Sequence, residues 1–74
     1  MFIEHEIYVF RTDVRTRRLA DRLCKNLEKQ GLAQRATVDL DDCDKVLRVE
    51  TRQPAMTKIQ ALAAVLGVKI EELD

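Results

Sequence analysis

Hydrophobic and polar positions along the chain change their period several times, and each change predicts a new element. Residues 6–12 are rich in β-branched and aromatic side chains and are apolar at odd and even positions, which indicates a central β-strand. Over residues 14–30, apolar side chains recur at three- and four-residue spacing. This spacing predicts an amphipathic helix, with Asp13 as its N-cap and Gly31 just past its end.

The pattern in the second half of the chain predicts a hairpin, then a second helix and a short final segment. Residues 36–40 and 47–49 alternate apolar and polar side chains around an acidic turn, the pattern of two strands with one buried face. A second apolar stripe predicts a helix over residues 54–66, with Pro54 at its first position and Gly67 after it. Residues 68–73 alternate like a short edge strand, although their glutamates also permit a helical turn.

The resulting order is strand, helix, hairpin, helix and short strand. Two amphipathic helices need one face of a sheet on which to bury their apolar stripes. Right-handed crossovers then favour an α+β ferredoxin-like βαββαβ sandwich, with an antiparallel sheet and both helices on one face. Seventy-four residues suffice for one small domain, so we predict a single domain over residues 1–74.

This order, the strand reading Ala-Thr-Val-Asp-Leu at residues 36–40 and the Leu-Gly-Val after the second helix carry a resemblance to a known family. The chain resembles the heavy-metal-associated domains, small βαββαβ modules that carry copper or zinc. In that family the first loop contains GMxCxxC, whose two thiolates bind a soft metal. The resemblance implies the same fold for this chain.

The first loop departs from the family pattern. Matching the helix core places Val14 at the family's packing methionine, and Thr16 and Leu19 at its two cysteines. A one-residue slip would instead place Arg15 and Arg18 at the cysteine positions. Because both registers lack the thiolates, we expect no metal and no cofactor at this loop.

Charge adds one candidate site. Thirteen basic and thirteen acidic residues cancel, so any attraction to nucleic acid has to come from a local patch. A basic cluster surrounds the start of the first helix, and the predicted topology adds Arg52 at the same end. The candidate anion, nucleic-acid or acidic-protein site is Arg11, Arg15, Arg17, Arg18 and Arg52, with Arg22 nearby. The alternative interpretation is a solvated face in which Arg17 and Arg18 pair with Asp21.

Acidic residues cluster in the predicted hairpin, at Asp39, Asp41, Asp42 and Asp44. They lack the glycine and the twelfth-position glutamate of an EF-hand loop, so we interpret them as turn-forming residues. We expect this hairpin at the end of the molecule opposite the arginines. Opposite charges at the two ends would permit head-to-tail association.

The uncovered face of the sheet is a candidate interface. Helices cover one face only, so either Ile7 and Val9 or Tyr8 and Phe10 must point outward, beside Val46. A homodimer would cover these side chains, and a small tolerated patch is the alternative. RNA recognition on such a face would use aromatic residues on both central strands, and the third segment has none.

Catalytic and redox motifs are missing from the sequence. It contains no serine, a single histidine at His5, and two cysteines, Cys24 and Cys43, without a CxxC pair. We expect Cys24 on the inner stripe of the first helix, Cys43 exposed in the turn, and no disulfide between them. The sequence therefore predicts no enzyme activity.

We predict a non-enzymatic protein-interaction module with a protein partner or a second copy of itself. The acidic N-terminal segment and the lack of a long apolar run predict a cytoplasmic protein without a membrane partner. Residues 59–73 also read like the end of a helix-turn-helix DNA-binding domain. That class is entirely helical, so the alternating segments make it a minor alternative.

Overall fold

A computed structural model of the chain describes residues 6–52 and 55–73. Its elements, in chain order, are β1 (Glu6–Thr12), α1 (Arg17–Lys29), β2 (Arg35–Asp39), β3 (Val46–Thr51), α2 (Met56–Val65) and β4 (Ile70–Glu72). The four strands form one antiparallel sheet in the order β2-β3-β1-β4. The α+β ferredoxin-like βαββαβ arrangement is thereby confirmed.

The core lies between one face of the sheet and the two helices. Side chains with no exposed area come from all three parts: Phe10, Leu47 and Val49 from the strands, Leu23 and Leu27 from α1, and Ile59 from α2. Burying each of these large apolar groups contributes about 1.5–3 kcal/mol. The opposite face of the sheet carries no helix. The strand residues that alternate with the buried ones point to that face and are exposed or partly exposed.

The start of α1 differs from the prediction by one turn. The sequence predicts Asp13 as N-cap, but the cap is Thr16, whose Oγ1 accepts a hydrogen bond from the Leu19 amide at 3.1 Å. Val14, which precedes the helix, is fully buried in the core. The connection therefore runs along the core before α1 begins. The Asp13 carboxylate instead accepts from the Lys69 amide at 2.8 Å, tying this connection to β4.

Both helices end in a Schellman motif, as their glycines predict. After α1 the amide of Leu32 donates to the carbonyl of Leu27 at 2.9 Å, and Gly31 adopts a φ of 74°. After α2 the amide of Val68 donates to the carbonyl of Ala63 at 2.8 Å, and Gly67 has a φ of 78°.

The expected position of the acidic hairpin is wrong. Strands β1 and β2 are both antiparallel to β3, so they run in the same direction and end on the same side. The β2–β3 hairpin therefore lies beside the β1–α1 connection. Thr12 holds the two together, because its amide donates to the Asp44 carbonyl at 3.0 Å and its hydroxyl to the Lys45 carbonyl at 2.6 Å. We call this side of the molecule the hairpin end.

The sequence leaves the segment after α2 open between an edge strand and a helical turn, and the structure shows a strand. Residues 70–72 form strand β4, paired with β1, so no second helix follows α2 in residues 66–73. The helix-turn-helix alternative is therefore wrong for this segment. Helix α2 begins at Met56, and the predicted first position, Pro54, lies outside the described residues.

Candidate functional site

The β1–α1 connection occupies the position where the resemblance places a metal loop. Thr16 and Leu19, the two positions matched to cysteines, contact each other through the helix-capping hydrogen bond. Val14 is buried in the core, and Leu19 packs partly buried against it. Arg15 and Arg18, the positions of the slipped register, are both exposed. The connection thus offers a hydroxyl, an alkyl group and guanidinium groups, none of which ligates a soft metal.

Cys24 lies further along α1 and is only partly buried. Its pKa is raised to about 11, first because burial penalises the thiolate, and then because the Glu28 and Asp21 carboxylates repel it. At neutral pH the thiol is therefore protonated and weakly nucleophilic. Cys43 is exposed in the hairpin, and both cysteines are free.

The structure divides the predicted arginine site. Arg52 follows β3, whose C-terminal end pairs with the start of β1, so it lies at the end opposite the hairpin. Including it in the site is wrong, because the topology separates it from the β1–α1 connection. Arg11 points from the outer face of β1 and forms a salt bridge with Asp44, Nε to Oδ1 3.3 Å. Only Arg15, Arg17 and Arg18 remain together as exposed cations at the start of α1.

The cationic surface extends further along α1 than the sequence analysis predicts. Four exposed cations, Arg18, Arg22, Lys25 and Lys29, follow one another at spacings of four, three and four residues. These spacings place them on one side of the helix. The predicted pairs of Arg17 and Arg18 with Asp21 do not form in the structure, where Arg11–Asp44 is the one salt bridge among the described residues. Testing the cations of residues 17–29 for a common helical face would have found this stripe.

Acidic side chains of the hairpin bond to their own turn. Asp39 Oδ1 accepts from the Asp41 amide at 3.0 Å, and Asp42 Oδ1 accepts from the Asp44 amide at 2.8 Å. The side chains of Asp42, Cys43 and Asp44 also offer three metal-ligand atoms within 4.8 Å of one another. A borderline-soft ion such as Zn²⁺ accepts both thiolate and carboxylate ligands, but a structural zinc site takes four protein ligands and this group offers three. The turn bonds of Asp39 and Asp42 and the pairing of Asp44 with Arg11 give these three acidic residues structural roles.

The outer face of the sheet is mixed in character. Ile7 is 58% exposed and Val9 and Val46 are partly exposed, so the outward pair is Ile7 and Val9. Phe10 is fully buried and Tyr8 points to the same inner side, so neither belongs to a dimer face. Side chains of a strand alternate between its two faces, and Thr12 contacts the hairpin from the inner side. Tyr8 and Phe10, which are two and four residues before Thr12, therefore point inward, and Ile7 and Val9 point outward. The charged neighbours of the apolar group on this outer face are Arg11, Arg35, Asp39, Arg48, Glu50 and Glu71.

Tyr8 reaches the rim of the core, where its hydroxyl donates to the Glu6 carboxylate. This hydrogen bond is the largest reason why the pKa of Tyr8 is raised above its ordinary value.

A broad open cleft separates β4 from α2 at the hairpin end. It is lined by Thr12, Asp13, Gln60, Lys69 and Ile70, among others. Asp13 is already bonded to the Lys69 amide and Thr12 to the hairpin, and further polar side chains of the lining, Gln60, Lys69 and Glu71, are exposed. A second exposed apolar residue, Val65, projects from α2 and is 81% exposed.

Comparisons with known proteins add no family assignment. No family model, no curated protein and no solved structure matches this chain. Across residues 6–52 and 55–73, neither helix is long and apolar enough to cross a membrane.

Proposed function

We propose that this chain is a non-enzymatic interaction module that binds protein through the outer face of its sheet, with a second copy of itself as the first partner. The observation that carries the proposal is Ile7, which is 58% exposed on the one sheet face without helices. Val9 and Val46 extend this apolar centre, and charged side chains surround it. An apolar centre with a polar rim is the usual anatomy of a protein interface.

The size of the sheet limits the strength of this contact. Four strands about 4.8 Å apart and about five residues long cover roughly 19 by 17 Å, or about 300 Å² in projection. Stable complexes bury about 800 Å² per partner. The proposed contact is therefore weak and reversible, with dissociation in the micromolar range or above.

A two-fold axis across the strands would make this face partly self-complementary. Arg35 and Asp39 lie at the two ends of β2, so such an axis brings Arg35 of one copy opposite Asp39 of the other. The two copies of Val9, in the middle row, would then meet at the axis, whereas Ile7 of one copy would lie opposite Arg11 of the other. The copies of Arg48 in that row would repel each other, which again favours weak association.

Sedimentation velocity at increasing protein concentration tests the proposal. The wild type should sediment as a mixture of monomer and dimer at high micromolar concentration, and Ile7→Lys should sediment as a folded monomer. A lysine at this position lies directly opposite Glu50, so the strand pair tolerates it, whereas an interface would have to desolvate the charge. Thr57→Lys, on the exposed side of α2, is the matched control and should leave dimerisation unchanged. A wild type that stays monomeric at high concentration contradicts self-association.

We place the chain in the cytoplasm as part of this proposal. The support is its pair of free thiols, one of them exposed at Cys43, which suit a reducing compartment.

A further inference from the structure

We propose that the cationic stripe of α1, formed by Arg18, Arg22, Lys25 and Lys29, binds the phosphate backbone of duplex nucleic acid without reading its sequence. The four residues span about 16 Å at about 1.5 Å per residue. All four side chains are exposed. This surface lies on the opposite side of the molecule from the sheet face of the proposed function, so the inference does not depend on that function.

The stripe contains no acidic residue. At about 100° per residue, Asp21 and Glu28 are rotated by roughly 70° and 90° from its centre. Glu28 is also engaged elsewhere, because its Oε2 accepts from the amide of Ala36 on β2 at 3.0 Å. A linear polyanion therefore meets only positive side chains along the centre of the stripe.

Several acidic residues of the chain are bonded to backbone amides, whereas the cations of α1 have no such partner. Asp13, Glu28, Asp39 and Asp42 each accept a hydrogen bond from a backbone amide. The cationic side chains of α1 make no hydrogen bond or salt bridge with any other described residue. The molecule has no formal net charge, yet α1 carries five cationic and two acidic residues.

The first turn of α1 reinforces this asymmetry. Arg17 and Arg18 occupy positions where the helix dipole favours acidic side chains, and the first turn contains no acidic residue. The unfavourable placement has no compensating contact within the described chain. An external polyanion supplies the missing compensation.

Duplex nucleic acid fits this surface better than an acidic protein or a single strand does. Its phosphates are held at regular separations on a stiff backbone, so contacting several of them orders few additional groups. Arginine forks, present at the N-terminal half of the stripe, match phosphate geometry. Single-strand binding generally uses aromatic stacking platforms, and α1 contains no aromatic residue.

Acidic residues of the hairpin do not neutralise the whole stripe. The hairpin lies beside the start of α1, whereas Lys29 is about 20 Å along the helix axis from Thr16. That distance is about twice the Debye length at moderate salt, so the second half of the stripe is screened from the hairpin. Lys25 and Lys29 should therefore contribute most of the binding.

Fluorescence anisotropy with a labelled duplex of about 20 base pairs tests the proposal. Each phosphate contact contributes about −0.9 to the slope of log Kobs against log salt, so four contacts predict a slope of about −3.6. Between about 50 and 200 mM salt this slope corresponds to a loss of roughly 100-fold in affinity. Absence of binding at the lower salt concentration would overturn the proposal.

A matched pair of double variants locates the contact. Arg22→Gln with Lys25→Gln should reduce the magnitude of the slope by about 2, because two phosphate contacts are lost. Lys58→Gln with Lys69→Gln removes the same net charge at exposed positions outside both the stripe and the outer sheet face, and should leave the slope unchanged. Equal effects of the two variants would show that overall charge, and not the stripe, drives binding, and would overturn the proposal. Every changed position is exposed, so circular dichroism should show both variants folded.

Two further measurements separate nucleic acid from the other polyanions. Poly-glutamate of matched charge should bind at least tenfold more weakly than the duplex, and equal affinity would reassign the stripe to an acidic protein partner. Without nucleic acid, the sedimentation behaviour should not change in the stripe variant. Loss of self-association in that variant would make a second copy the partner and would contradict the proposal.

Discussion

Cys24 shows at the scale of one residue how its neighbours set reactivity. The sequence places it on the apolar stripe of α1, and the structure finds it partly buried, between full burial and exposure. Its pKa of about 11 follows first from burial and then from the carboxylates of Glu28 and Asp21. Helix periodicity alone predicts the burial but not these two acidic neighbours.

The two cysteines should therefore react at very different rates. At pH 8 a thiol with a pKa of about 11 is about 0.1% thiolate, so we expect native Cys24 to react at least tenfold more slowly with a thiol reagent than exposed Cys43. In the unfolded state the rates should converge. Because the folded pKa of Cys24 is raised, its contribution to stability is present below the ordinary thiol pKa and declines as pH rises toward 11. Mass spectrometry of Cys24→Ala and Cys43→Ala variants measures each rate separately, and rapid native labelling of Cys24 would contradict its burial.

Helix α1 shows at the scale of elements which parts of the fold the sequence determines. Its apolar spacing and Gly31 correctly predict the body and the C-terminal end. Its start is missed by one turn, because Asp13 and Thr16 are both good capping residues. The choice depends on tertiary contacts: Val14 is buried in the core, and Asp13 bonds to Lys69, 56 residues away in the sequence. No local pattern contains that information.

Thr16→Ala should reduce the free energy of unfolding by about 1 kcal/mol, because the Leu19 amide loses its acceptor at the start of α1. Thr16→Ser keeps a hydroxyl and should recover most of the loss. Thr57→Ala, an exposed change within α2, should be neutral or slightly stabilising because alanine favours helix. Urea unfolding followed by circular dichroism measures the three differences. If Thr16→Ala were no more destabilising than Thr57→Ala, the cap would not contribute to stability.

Strand direction decides which residues lie at each end of the whole molecule. It explains the main error in the predicted site. The sequence correctly predicts the βαββαβ arrangement and leaves the last segment open between strand and helix, but the hairpin and Arg52 are assigned to the wrong ends. Counting crossovers corrects both, since a strand reached through one helix runs parallel to the strand before that helix. Arg11 then meets Asp44, and the expected separation of charge between the two ends disappears. The segregation that remains lies between α1 and the rest of the surface.

The position of the β1–α1 connection in the whole fold provides a test of the resemblance to heavy-metal-associated domains. The wild type has a helix-capping threonine and an alkyl side chain at the two matched positions, so titration with Cu(I) or Zn(II) under reducing conditions should show no high-affinity site at this loop. In a Cys43→Ser background, Thr16→Cys with Leu19→Cys places two thiols three residues apart at the helix start. That position lowers thiol pKa and should create a soft-metal site, although the surrounding arginines weaken it.

A control variant separates the fold from the motif in this experiment. Thr57→Cys with Gln60→Cys, in the same background, gives identical spacing in the first turns of α2, where both positions are exposed. If the β1–α1 connection retains the geometry of a metal loop, the pair at residues 16 and 19 should bind Cu(I) at least tenfold more tightly than the pair at residues 57 and 60. Equal affinities would mean that any helical CxxC suffices, and the resemblance would then extend to the fold alone. Tight binding by the wild type at this loop would contradict the ligand chemistry of Thr16 and Leu19 directly.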